Sequence, residues 1–210
     1  MIVVKRDPEK FGAKVLLFPS IFGPSYIDTE QVLSVSKHVL TNLNASKYMK
    51  LIPRVVENSE LKLLFRTTLE SWPDNSWCIR ASLFGSFGQL DGTAGVVSGT
   101  DNVLIKYSRS ADGLTWYQNV TNALTGSYLS SFAHTSGPMT GWGTGTECDS
   151  NCSGTIATQV YKNTTIKLAS ADASFIKTLS TSGGTTYSGL KMSADGKTLT
   201  IDKISVPAMV

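Results

Sequence analysis

The residues with the most chemistry in this chain crowd into one stretch. Residues 136–155 read SGPMTGWGTGTECDSNCSGT, and they bring Glu147, Cys148, Asp149, Asn151 and Cys152 within a few positions of one another. His134 lies just upstream, in SFAHTSG. Two carboxylates on alternate positions of an extended chain share a face about 7 Å apart, the arrangement a glycosidase uses for its acid and base. A histidine beside them would serve a lyase or hydrolase as base. His134, Glu147 and Asp149 are therefore the catalytic candidates, and the simpler alternative for each is a solvated loop side chain.

Metal chemistry has little to work with. The chain holds two histidines and three cysteines, and Cys148 and Cys152 have no further Cys or His at zinc-like spacing. Glu147, Asp149 and Asn151 fall well short of a calcium shell. No metal and no cofactor is expected. The expected role of Cys148 and Cys152 is a disulfide pinning a surface loop, with Cys78 left over or paired outside the chain.

Aromatic side chains are a second kind of candidate. Trp116, Tyr117, Tyr128 and Trp142 sit in or beside turns, where exposed rings stack on the C–H faces of sugars. Core packing is the alternative for Trp116 and Tyr128. Trp142, among Gly141, Gly143 and Gly145, is the one expected to be exposed.

The elements that must carry these residues come in two styles. Only Gly12 and Gly23 of the 18 glycines lie in residues 1–74. That part reads as helical: Asp28 and Gln31 form a capping arrangement, and Val32, Val35, Val39 and Leu43 step by three and four. A second helix is expected after Asn58-Ser59, through Leu61, Leu64, Phe65, Thr68 and Leu69, with Pro53 between the two. From residue 75 the period changes. Short runs rich in Val, Ile, Thr and Tyr alternate with Gly, Asn, Asp and Ser, as in NVLIKYSRS, TIATQVYKNTTIKLAS and TLTIDKISV. The expected fold is mainly β, an antiparallel sandwich or jelly roll over 75–210, with a short helical or poorly ordered segment over 1–74 that is foreign to it. Expressing 75–210 alone should then give a folded protein.

One heptamer occurs nearly twice, SADGLTW at 110–116 and SADGKTL at 193–199. It resembles the Asp-box of sialidases and related propellers, shortened by one residue between Asp and Thr. A propeller needs several four-stranded blades, more than this chain can hold, and only Arg80 and Arg109 follow residue 75. Turn chemistry explains the repeat without blades: Asp accepts from amides just ahead, Gly supplies positive φ, and Asp-Gly between strand-like runs marks a hairpin.

Composition points outside the cell. Charged residues are 17% of the 210, the net charge is +3, and the polar surface must come largely from Ser, Thr, Asn and Gly. Asn44, Asn119, Asn151 and Asn163 each open an Asn-x-Ser/Thr sequon, the acceptor pattern for N-glycosylation. An extracellular glycoprotein is expected, although the N-terminus shows no evident signal peptide. No basic patch interleaves with aromatics, so no nucleic-acid partner is expected, and no stretch is long and apolar enough to span a membrane.

The C-terminal part, about 135–210, with its Gly-Trp-Gly-x-Gly-x-Glu-Cys segment, Asn-Thr-Thr strand and closing Pro-Ala-Met, resembles small secreted fungal β-sandwich proteins of unknown function. The resemblance implies a secreted sandwich and assigns no site residue. The functional expectation is a non-catalytic β-sandwich binding cell-wall polysaccharide or another glycan. The alternative is a polysaccharide lyase or glycoside hydrolase on a jelly roll.

Overall fold

The computed structural model describes residues 14–17, 27–34, 49–57, 63–71, 77–136, 139–148 and 157–208, with side chains over 63–70, 77–136, 139, 141–146 and 157–208. They form two antiparallel sheets. Sheet A runs β13 (Ser180–Thr181), β1 (Lys14–Leu17), β11 (Met139–Cys148), β3 (Met49–Glu57), β4 (Leu64–Ser71), β5 (Trp77–Gly85) and β6 (Gly88–Asp91), with β7 (Gly95–Val97) also on β5. Sheet B runs β10 (Tyr128–Thr135), β9 (Thr115–Asn122), β8 (Asn102–Arg109), β2 (Ile27–Ser34), β12 (Gln159–Leu168), β16 (Thr198–Val206) and β14 (Thr186–Ser188), with β15 (Lys191–Met192) also on β16. A short 3-10 turn at Phe175–Thr178 follows β12 and buries Phe175.

Period-two alternation builds the core. In β9, Trp116, Gln118 and Val120 face inward while Tyr117 and Asn119 face water. Phe65, Leu69, Ile79, Ala81 and Leu83 from sheet A meet Val103, Ile105, Tyr107, Trp116 and Ile201 from sheet B. The Phe65 and Trp116 rings lie 6.3 Å apart. Polar contacts also cross between the sheets. Tyr107 donates to Thr67 Oγ1 at 2.8 Å, and Gln118 Nε2 donates to the Ser82 carbonyl at 2.8 Å. Burial pushes the Tyr161 hydroxyl up to about 12.

Along one side, β10 is stitched to sheet A. The Ala81 amide donates to Ser130 Oγ at 2.9 Å, and Ser130 Oγ donates to the Thr93 carbonyl at 2.6 Å. Backbones approach so closely there that a Cβ on Gly92 would stand 2.3 Å from the Ser131 carbonyl oxygen, and one on Gly95 2.4 Å from that of Leu129.

The helical expectation for the N-terminal part is corrected. Residues 27–34 are β2, hydrogen-bonded between β8 and β12. Of the residues read as a second helix, Leu64, Phe65, Thr68 and Leu69 lie instead in β4, which is paired with β3 and β5, while Leu61, like Val35, Val39 and Leu43 of the first, lies outside the described residues. The β4 segment misleads because both of its faces are buried, Leu64, Arg66 and Thr68 as fully as Phe65, Thr67 and Leu69. A strand covered on both sides loses the two-residue alternation that would identify it. Pro53 lies inside β3, and the β3–β4 pairing breaks after Leu51↔Leu69 and resumes at Arg54↔Arg66, around the residue that has no N–H to give. Position 75 falls between β4 and β5, which pair over eight residues from Leu64↔Phe84 to Ser71↔Trp77. The pairing across 75 is continuous, so the strands before it are woven into the same sheets as those after it.

The repeated heptamer forms two matching hairpins, β8–β9 and β15–β16. In the first, Ser110 Oγ and the Leu114 amide donate to Asp112 Oδ1, and the Thr115 amide donates to Ser110 Oγ at 2.9 Å. In the second, Ser193 Oγ and the Lys197 amide donate to Asp195 Oδ1, and the Thr198 amide donates to Ser193 Oγ at 2.8 Å. Gly113 and Gly196 take φ of 76° and 68°, where glycine carries no Cβ penalty.

Candidate active site

Sheet geometry brings one set of polar side chains together on the outer face of sheet A. Along β4, Arg66, Thr68 and Glu70 alternate with the core residues Phe65, Thr67 and Leu69, so all three point away from the sandwich interior. The β4–β5 register sets Glu70 opposite Cys78, Thr68 opposite Arg80 and Arg66 opposite Ser82. The β5–β6 hairpin then sets Asp91 opposite Ser82 and Gln89 opposite Phe84.

These side chains form one continuous network. Thr68 Oγ1 donates to Glu70 Oε1 at 2.6 Å. Glu70 Oε2 faces Arg80 Nη2 at 3.7 Å, and Arg80 Nη1 reaches Asp91 Oδ2 at 3.1 Å. Gln89 Nε2 donates to Asp91 Oδ1 at 2.6 Å and its Oε1 accepts from Arg66 Nη2. The Arg66 guanidinium lies 4.7 Å over the Phe84 ring. Burial works against the charge on Arg80, but the Glu70 and Asp91 carboxylates and the neighbouring Cys78 outweigh it and raise its pKa above the ordinary arginine value.

Burial makes this network unusual. Glu70 is 5% exposed and Arg66 8%, and charged groups rarely leave water to that extent without a compensating role. Buried, paired charges with shifted titration concentrate at functional sites, although structural ion pairs share the signature. The buried Arg80 Nε has no hydrogen-bond acceptor among the described residues. A carboxylate with one oxygen fixed by a hydroxyl, beside an arginine with a spare N–H, can accept a proton from water and stabilise a developing oxyanion.

Among the residues singled out in the sequence, few come together. Trp142 is not exposed: it is 2% accessible and points into the core from β11. The glycines around it alternate with Trp142, Thr144 and Thr146, so the segment is a strand with one glycine face, and reading it as a loop mistook that alternation. Trp116 is fully buried against Phe65. Tyr117 and Tyr128 are exposed, at 42% and 61%. Tyr128 pairs with Thr121, four residues from Tyr117, which separates the two rings' positions by about 13 Å along the strand.

His134 is half-buried on β10, where its Nδ1 contacts the Thr135 carbonyl at 2.6 Å and its ring stacks on Phe132. Glu147 lies on β11 of sheet A, so the two candidates sit on different sheets. Cys148 ends β11, while Asn44, Asp149, Asn151 and Cys152 lie outside the described residues. Cys78 is buried on β5. Asn119 and Asn163 are exposed. Among the described residues no group of three or more His, Cys, Asp or Glu could hold a metal ion, and no helix is long and apolar enough to cross a membrane.

The network itself was missed in the sequence. Its signal was the alternation Arg66-x-Thr68-x-Glu70 and Gln89-x-Asp91. A helical reading of 59–69 scatters the first set around a cylinder and hides that they share a face.

No family model and no curated protein matches the sequence. Solved structures do. The crystal structure of scytalido-glutamic peptidase with a peptide-based transition-state analogue is similar over 92% of this chain and 97% of that one, with a TM-score of 0.54 and 12% identity. A second structure of that peptidase, with a transition-state analogue inhibitor, is similar over the same shares, with a TM-score of 0.52. The structure of SCP-B, a member of the eqolisin family of peptidases, in complex with the tripeptide Ala-Ile-His is similar over 95% of this chain and 98% of that one, with a TM-score of 0.55 and 10% identity. These matches overturn the expected glycan-binding role and the alternative of a polysaccharide lyase or glycoside hydrolase: these three structures are of peptidases. At this level of identity the likeness establishes the fold, an antiparallel β-sandwich of the eqolisin type.

Proposed function

We propose that the chain is a peptide-bond hydrolase that works with a glutamate, and that Glu70 is that glutamate. The observation that carries the proposal is the burial of Glu70 on the outer face of sheet A, between the Thr68 hydroxyl and the Arg80 guanidinium. The similarity to peptidases bound to peptide-like ligands supports the choice of substrate class. In this reading the Glu70 carboxylate takes a proton from a water as the water oxygen bonds to the scissile carbonyl carbon. The Arg80 Nε–H holds the resulting oxyanion. Glu70 then returns the proton to the amide nitrogen as the C–N bond breaks. The reaction needs no metal and no cofactor. The same proposal places the protein outside the cell, on the strength of its sequons and its sparsely charged composition.

Cleavage of a quenched fluorescent peptide library from about pH 3 to about pH 8, a range that spans carboxylate titration, tests this. Glu70→Gln should lower kcat by about 10² to 10⁴, the usual worth of a general base, with circular dichroism confirming that the variant folds. Glu147→Gln, on the same sheet, should leave the rate close to wild type. Undiminished cleavage by Glu70→Gln, or no cleavage by the wild type anywhere in the range, would sink the proposal.

A further inference from the structure

Two of the four sequons fall on one face of the molecule. Asn119 lies on β9 between the core residues Gln118 and Val120, and its side chain is exposed on the outer face of sheet B. Asn163 lies on β12 and is exposed beside Lys162. The registers run Asn119↔Lys106, Lys106↔Glu30 and Glu30↔Thr165, so the two sequons are three strands apart, about 14 Å across the sheet.

Asn163 is also the one non-glycine residue with positive φ among the described residues, at 54°. There β12 slips by one residue against β2, between Lys162 and Thr165. The inward set of β12 changes from Gln159 and Tyr161 to Thr164, Ile166 and Leu168, and that of β16 changes with it, from Ile204 and Val206 to Leu199 and Ile201. The bulge turns Lys162 and Asn163 both to solvent. Asparagine tolerates the left-handed region, but glycine suits it better. The backbone alone therefore does not account for an asparagine followed two residues later by threonine.

We infer that Asn119 and Asn163 are both N-glycosylated and that the outer face of sheet B is sugar-covered. The inference rests on the extracellular part of the proposal above and not on its chemistry. In the modification, the asparagine Nδ2 bonds to the anomeric carbon of a lipid-diphosphate-linked oligosaccharide. The anomeric C–O bond breaks, the lipid diphosphate leaves with the electron pair, and the amide proton passes to the transferase's base.

The test is the full chain secreted from yeast behind a cleavable leader, analysed by intact mass and peptide mapping before and after peptide-N-glycosidase. Both Asn119 and Asn163 should be converted to aspartate by the enzyme. Thr165→Val should lose one glycan and Thr165→Ser should keep it. Asn163→Gly should lose one glycan with no fall in melting temperature, which separates the acceptor role from the backbone role. Amine labelling of Lys106 and Lys162 should rise on deglycosylation, since Lys106 pairs with Asn119 and Lys162 precedes Asn163. Secreted, folded protein with either asparagine unmodified, or lysine labelling unchanged by deglycosylation, overturns the inference. Peptide cleavage is not the readout, so the inference and the proposed activity can fail separately.

Discussion

Asp112 and Asp195 each tie a hairpin together with a charge. Hydrogen bonds from Ser110 and the Leu114 amide hold Asp112 below its ordinary pKa, and Ser193 and the Lys197 amide do the same for Asp195. A carboxylate with a depressed folded pKa stabilises the fold above its unfolded pKa, and that contribution is lost as pH falls through the lowered folded value. Changing both to asparagine keeps an acceptor and removes the charge. Wild type should therefore melt higher than the double variant near neutral pH, and the difference should close as pH falls below about 4. Melting temperatures measured in parallel down that range check it, and a gap that stays constant with pH would show that charge is not the cause. The turn chemistry of these two sites was legible because every contact in it is local. Glu70 was not, because the Arg80 and Asp91 that mark it are 10 and 21 residues away in sequence and only sheet register brings them to it.

At the scale of elements, strands such as β8, β9, β12 and β16 after residue 75 could be read, whereas β11 after it and β2 and β4 before it could not. In β9 the core and solvent residues alternate cleanly, so period and burial agree. In β2 and β4 strand neighbours on both sides and burial of both faces of β4 outweigh a weak helical spacing, since local propensity yields to tertiary context. Glycine misled in a related way. Gly141, Gly143 and Gly145, read as part of a loop, lie in β11, while Gly92 and Gly95 stand at close backbone crossings. Each of these two faces a β10 backbone carbonyl, Gly92 that of Ser131, which is paired with Asn119, and Gly95 that of Leu129, at the register shift between Tyr128 and Ser130. Gly92→Ala and Gly95→Ala should each cost about 1–3 kcal/mol, the usual penalty of overpacking a fixed site. Chemical denaturation should show the loss, while Gly126→Ala, with open space around it and φ of 71°, should show only the smaller strain of its backbone. A Gly92→Ala protein as stable as wild type would mean that β10 does not press on this loop.

For the whole molecule the question is whether residues 75–210 are a folding unit. Composition suggests a break, because glycine is scarce before 75 and frequent after it. Strand order argues the other way. Removing residues 1–74 takes β2 from between β8 and β12, and takes β1, β3 and β4 from between β13 and β5. Each sheet is then cut in its interior, and six strand edges, one each on β8, β12, β13 and β5 and both on β11, lose their hydrogen-bonding partners. The core loses Phe65 and Leu69, each worth about 1.5–3 kcal/mol when buried, against a total stability for a domain of about 5–15 kcal/mol. Unpaired interior edges also invite association with other chains. The fragment 75–210 should therefore show no cooperative thermal transition and should aggregate, whereas the full chain melts in one step. A soluble fragment with a sharp melt would mean that sheets A and B close without the N-terminal strands. The network around Glu70 would then have to be rebuilt without β4, which carries three of its members.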